Sequence, residues 1–212
     1  RIVNVPDLAM ENIKSLKGNS PRPYNLHSTK SKQISKKPHS CEGHSPWHYQ
    51  DAAIQAWLDN AMRGVLEMAT GTGKTKTALF GLCRLADQVD RIVTIISCPT
   101  KSLVNQWADE CKKFNLKPII CSSEYSNWKG QVSEGISRAS LNLEKYLTIV
   151  STHETLKNNS FKKLISRIDR EEMKVLLVAD ECHHLGATGA IENVYKDYDF
   201  TLGLSATPAR FF

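Results

Sequence analysis

The sequence predicts a three-layer α/β fold around a mainly parallel central sheet, and three observations carry that expectation. Residues 92–96, 147–150, 175–179 and 201–204 are short, almost wholly apolar runs. Such runs fill strands buried on both faces, as parallel strands are. Stretches with helical spacing of apolar residues alternate with them, the order expected of strand–helix–strand units. A Gly-rich turn, Ala69-Thr70-Gly71-Thr72-Gly73-Lys74-Thr75, separates an apolar run from a helical one.

Taken in order, residues 65–68 read as the strand before that turn and residues 77–85 as the helix after it. Residues 92–96 read as a second buried strand, ending at Pro99-Thr100. Leu103, Val104 and Trp107 follow at helical spacing, and ordinary core packing is the preferred reading for them. Residues 147–150 and 175–179 supply two further strands, the second running straight into Asp180-Glu181. Residues 201–204 supply another. Segment 122–144 mixes Tyr125 and Trp128 with Lys129 and Arg138. Such side chains can stack bases, but anchoring a surface loop or short helix is the favoured reading.

A turn of this kind aims several backbone N–H groups at one spot, where the positive end of the helix dipole adds to them. That is a cradle for phosphate. Lys74 would reach the β and γ phosphates of a nucleotide, and the Thr75 hydroxyl would sit on Mg²⁺. Met68 stands where such loops usually have their first glycine. Asp180 and Glu181 follow a buried strand at its C-terminal end, where open α/β sheets bind ligands. Asp180 would hold Mg²⁺, directly or through water, and Glu181 would orient and deprotonate an attacking water. Thr100 and Lys101 also lie at a strand end, where a hydroxyl and an ammonium can hold phosphates.

With those residues in view, 46–210 resembles the first motor domain of a superfamily 2 helicase, a P-loop NTPase domain of RecA-like fold. Residues 69–75 resemble motif I, Asp180-Glu181-Cys182-His183 motif II in its DEAH-like form, and Ser205-Ala206-Thr207-Pro208 motif III. Residues 98–107 resemble motif Ia, and Ser151-Thr152-His153-Glu154-Thr155-Leu156 is similar to a Thr-containing segment that also contacts the nucleic-acid backbone. Tyr49-Gln50 with Ala53-Ile54 resembles the adenine-sensing segment. Residues 202–210 look most like the branch that holds type III restriction motor subunits.

The resemblance implies ATP and Mg²⁺, with nucleotide contacts from Gln50 and from Thr70, Gly71, Thr72, Gly73, Lys74, Thr75 and Lys76. Lys74, Asp180, Glu181 and His183 would be the catalytic set, with Thr75 and Asp180 on Mg²⁺ and His183 bonding toward motif III. Thr100, Lys101 and Thr152 would contact nucleic acid, DNA in preference to RNA. Ser205 and Thr207 would couple hydrolysis to movement. Relatives often carry Arg three positions before the glutamine; here Trp47 stands there, to stack on adenine or to pack in the core.

Charge divides the chain. Its net charge is +6. Residues 1–41 hold eight Lys/Arg and two Asp/Glu, and residues 42–212 hold twenty of each. The first segment reads as a basic extension or linker from an upstream domain, touching phosphates or simply solvated. The second reads as the first motor domain. In the family a second motor domain follows, with arginines worth factors of about 10³–10⁵ in rate, so this chain alone is expected to turn ATP over slowly. Six scattered cysteines, at 41, 83, 98, 111, 121 and 182, look like reduced thiols of a cytoplasmic protein and not a disulfide framework. No apolar stretch is long enough to span a bilayer. A motor and a nucleotide-dependent binding module both remain open; Glu181 favours the motor, because a binding module needs no general base.

Overall fold

Alternate residues of the strands at 92–98, 146–152 and 174–179 pack into different cores, which is what a sheet covered by helices on both faces requires. The computed structural model describes residues 36–185 and 196–206. Thr207, and residues 1–35 of the basic extension, lie outside that range. Among the described residues the strands are β1 (Arg63–Glu67), β2 (Ile92–Cys98), β3 (Ile119–Cys121), β4 (Tyr146–Thr152), β5 (Lys174–Ala179) and β6 (Phe200–Ser205). They form one sheet in the order β1-β6-β5-β2-β4-β3, with every pairing parallel.

Helices α1 (His48–Asp59), α2 (Lys74–Gln88) and α3 (Lys101–Lys113) build one outer layer. Ile54, Trp57, Leu79, Leu82 and Trp107 from that layer pack on Ile92, Ile96, Leu176, Val178, Leu202 and Leu204. On the other face are α4 (Trp128–Ser140), α5 (His153–Lys157) and α6 (Asn159–Ile165). There Val132, Ile136, Phe161 and Ile165 pack on Val93, Ile95, Leu147, Ile149, Val175 and Leu177. Each Leu or Ile so buried stabilises the fold by about 1.5–3 kcal/mol, which explains why β2 is covered along its whole length.

Segment 122–144 is built largely from a 13-residue helix, α4, and of its two aromatics Trp128 is an anchor while Tyr125 is exposed. The Trp128 ring lies 6.0 Å from that of Phe161, which is fully buried. Gly135 lets α4 approach the sheet closely, since a Cβ there would sit 2.9 Å from Leu147 Cδ1. The strand β3 was not legible in the sequence, because three edge residues carry no period.

Residues 36–41, the end of the basic extension, lie along the far end of α3. The N–H groups of His39 and Cys41 donate to the carbonyls of Phe114 and Lys113, at 3.2 and 2.8 Å. Lys37 pairs with Asp87 at 2.6 Å. No helix among the described residues is long and apolar enough to cross a membrane.

Candidate functional site

Parallel pairing puts the C-terminal ends of the described strands along one edge, and those residues singled out in the sequence that are described gather there. The turn after β1 leads into α2, whose N-cap is Gly73. Among the described residues the α2 N-terminus has no side-chain cap, and its first turn holds no acidic residue. Its orphan N–H groups and dipole are therefore left for an anion. Thr72 closes the turn through its N–H and hydroxyl, both donating to the Ala69 carbonyl, at 3.3 and 2.7 Å. Thr70 and Gly71 are exposed, while Thr75 and Lys76 are half-buried at the head of α2.

Asp180 and Glu181 leave the end of β5, with β6 lying between β5 and β1. Asp180 is nearly buried, and three contacts hold it. Its N–H donates to the Ser97 carbonyl at 2.8 Å, its Oδ1 accepts from the Glu181 N–H at 3.1 Å, and its Oδ2 accepts from the Trp107 indole N–H at 2.8 Å. Burial raises its carboxyl above the ordinary carboxylate range, and the Trp107 hydrogen bond opposes that. A cation beside it would stabilise the carboxylate further, so the donor set suits Mg²⁺. Glu181 has φ 45°, a left-handed backbone that costs a residue with a Cβ about 1–3 kcal/mol and clusters at functional sites. Its Oε1 lies 3.5 Å from Lys74 Nζ, which also donates to the Met68 carbonyl at 3.3 Å.

Beside the turn is a cleft of about 610 Å³, lined by His44, Trp47, Gln50, Gly73, Lys76 and Phe80 among others. Gln50 is buried and fixed at both ends. Its Oε1 accepts from the Trp47 N–H at 3.0 Å, and its Nε2 donates to the Thr72 carbonyl at 3.4 Å. Trp47 is not core: it is 66% exposed at the cleft rim, 5.7 Å from the Tyr49 ring.

The remaining residues sit along the same edge. Thr100 is exposed and caps α3 by accepting from Leu103 N–H at 3.3 Å; Lys101 is exposed, 3.6 Å from Glu124. Thr152 is 9% exposed and caps α5, accepting from Thr155 N–H at 3.1 Å. Cys98 pairs with Thr152 in the sheet register, so the two segments are neighbours. Ser205 reaches both ways: its carbonyl accepts from Met68 N–H at 3.0 Å, and its hydroxyl is 3.4 Å from His183 Nδ1. His183 Nδ1 also lies 3.5 Å from Glu181 Oε2.

Two residues escaped the sequence reading. Trp107, read as core packing alone, also holds Asp180. His153 is buried at 6% exposure with Nδ1 2.7 Å from Ser97 Oγ, and its Nε2 has no partner among the described residues. Burial pulls its pKa down to about 4. The unfolded chain therefore takes that proton first as pH falls, and the stability from neutral His153 is lost between pH 6.5 and about 4. The full loss is about 3 kcal/mol. Denaturant midpoints followed down through that range are expected to fall more steeply for wild type than for His153→Asn. Parallel slopes would show that His153 is not the group responsible.

Residues 43–210 match the family described as type III restriction enzyme, res subunit. The chain belongs to that family. This Res-family domain is 29% identical over 164 residues to the DNA 3'-5' translocase XPB2 of Sulfurisphaera tokodaii, covering 76% of this chain and 30% of the relative. Among solved structures it is similar to the Hef helicase domain of Pyrococcus furiosus, 26% identical with TM-score 0.57, covering 78% of this chain and 35% of the other. It shares its fold with a nuclease-deletion mutant of the Type ISP restriction-modification enzyme LlaGI in complex with a DNA substrate mimic. That match has 18% identity and TM-score 0.60, and covers 78% of this chain and 18% of the other. The Res-family domain spans between 23% and 30% of the curated relatives it matches. These neighbours agree with the six-stranded parallel sheet in assigning a RecA-like motor fold.

Proposed function

We propose that this domain is the ATP-hydrolysing half of a DNA-dependent helicase or translocase acting in the cytoplasm. The single observation that carries the reading is the convergence of Lys74, Asp180 and Glu181 on an uncapped helix N-terminus. Phosphates would occupy the turn at Gly71–Thr75, with Lys74 on the β and γ oxygens. Gln50 would read the adenine edge and the exposed Trp47 would stack on its face, the alternative to core packing that its position favours. Lys76 lines the same cleft and would meet the nucleotide there.

Thr75 and Asp180 would hold Mg²⁺, which when bound neutralises charge on the β and γ oxygens. As Lys74 turns from Glu181 toward the phosphates, the carboxylate is freed to orient water and accept its proton. The contacts of Ser205 to Met68 and to His183 support a coupling role, shared with Thr207, between hydrolysis and the DNA-facing edge. Thr100, Lys101 and Thr152 would grip DNA phosphates on that edge. The partners are DNA, a second motor domain and an upstream domain joined through the basic segment 1–41, with 42–212 as the motor domain itself.

The test is steady-state ATPase of the intact parent with single-stranded DNA, duplex DNA and RNA, at fixed salt. Stimulation by DNA over RNA, abolished by Lys74→Ala, is expected. ATP binding with no stimulation by any polymer would overturn the motor reading.

A further inference from the structure

We infer that Trp107 is a positioning residue: it fixes the Asp180 carboxylate for the metal and ties it to the DNA-gripping end of α3. The inference rests on the nucleotide and DNA reading above. Trp107 is 1% exposed, and a buried indole N–H needs an acceptor. The contrast with Trp57 shows what is unusual. Trp57, equally buried, donates to the backbone carbonyl of Thr201 at 2.9 Å, the ordinary way to satisfy the group. Trp107 instead donates to a carboxylate oxygen at 2.8 Å, on the residue assigned to the metal.

Together with the Glu181 N–H on Oδ1, that bond engages both Asp180 oxygens from fixed directions. Rotation of the carboxylate would break both contacts. The lone pairs left over therefore face one way, and a metal binds without the cost of ordering the side chain. Hydrogen bonds to charged groups are also the strong ones.

The other end of the link is α3 itself. Thr100 caps the helix and Lys101 begins it, both exposed; Trp107 is six residues on, about 9 Å along the axis. A helix of this length moves as a rigid body. Any shift of its N-terminus on gripping a strand therefore carries the indole with it, and with the indole the hydrogen bond to Asp180.

Trp107→Phe removes the N–H and keeps most of the ring. In the 212-residue chain, ADP affinity is measured by calorimetry with Mg²⁺ and with EDTA. The variant is expected to lose about tenfold of the Mg²⁺-dependent gain while keeping its affinity in EDTA. An undiminished gain would overturn the inference alone; a wild-type chain that binds no ADP would overturn the nucleotide reading along with it. Should the variant not fold, the wild type still decides. Its Trp107 indole N–H resonance is expected to shift when Mg²⁺ is added to the ADP complex, with that of Trp57 unmoved, and an indifferent Trp107 signal overturns the role. For the link to α3, DNA affinity of the intact parent is compared with and without ADP·Mg²⁺. The ratio is expected to collapse toward one in Trp107→Phe, because coupling is reciprocal. A ratio equal to wild type would remove the link.

Discussion

Glu181→Gln in the intact parent is expected to lower ATP turnover about 10²–10⁴-fold while leaving ATP·Mg²⁺ binding intact. The two effects separate for a geometric reason. Glutamine keeps the size of the side chain and can still orient a water, but its amide cannot take the proton. Binding should hold or tighten. In the structure Glu181 Oε1 lies 3.5 Å from Lys74 Nζ, so it would compete for the ammonium proposed to meet the phosphates. Neutralising it frees Lys74 and removes a negative charge from the neighbourhood of a highly negative ligand. Single-turnover hydrolysis and equilibrium nucleotide binding, measured on the same preparation, read the two parts. If turnover were unaffected, Glu181 would not be the base. If binding were lost as well, its role would be structural, through the strained backbone at φ 45°.

The same backbone shows what the sequence could and could not disclose. The placement of Lys74, Thr75, Asp180 and Glu181 at strand ends and a helix head was legible because it depends on local context: a strand, a turn with glycines where φ is positive, and the head of a helix. The three-layer fold was legible because β2, β4 and β5 must be apolar on both faces, and so are continuous apolar runs. Trp107 was only half legible. Its helical spacing marks it as core, and it is core. Its bond to Asp180 joins residues 73 positions apart, a pairing that depends on β2 lying beside β5. His153 was hidden for the same reason, since its partner Ser97 is on the neighbouring strand. Trp47 was ambiguous because an exposed tryptophan and a buried one look alike in sequence. Only its place at the mouth of the cleft separates the readings. Elements without a period, such as β3, leave nothing to read at all.

Gly73→Ala is expected to lower nucleotide affinity as well as stability. The position has φ 83° and ψ 32°, where alanine is disfavoured by about 1–2 kcal/mol. For a domain of this size that lowers the thermal midpoint by only a few degrees, about 2–4 °C per kcal/mol. A second consequence lies across the cleft. A Cβ on Gly73 would stand 2.8 Å from Gln50 Nε2, closer than such atoms approach. The backbone is held by the turn and the helix, so the movable partner is the glutamine amide. It must give up the Thr72 carbonyl, and with it the orientation fixed from the Trp47 N–H. ATP affinity should therefore fall at least about tenfold, as hydrogen bonds to the base are lost and the phosphates meet a crowded turn. Gly71→Ala separates strain from crowding. Its φ of 84° is as unfavourable, yet among the described residues nothing lies within 4 Å of the added Cβ, so Gln50 stays in place. Combining Gly73→Ala with Gln50→Ala tests the route of the effect. If Gln50 displacement carries it, the double variant should bind ATP little worse than Gly73→Ala alone; additive losses would mean that Gly73 acts on the phosphates independently of the glutamine.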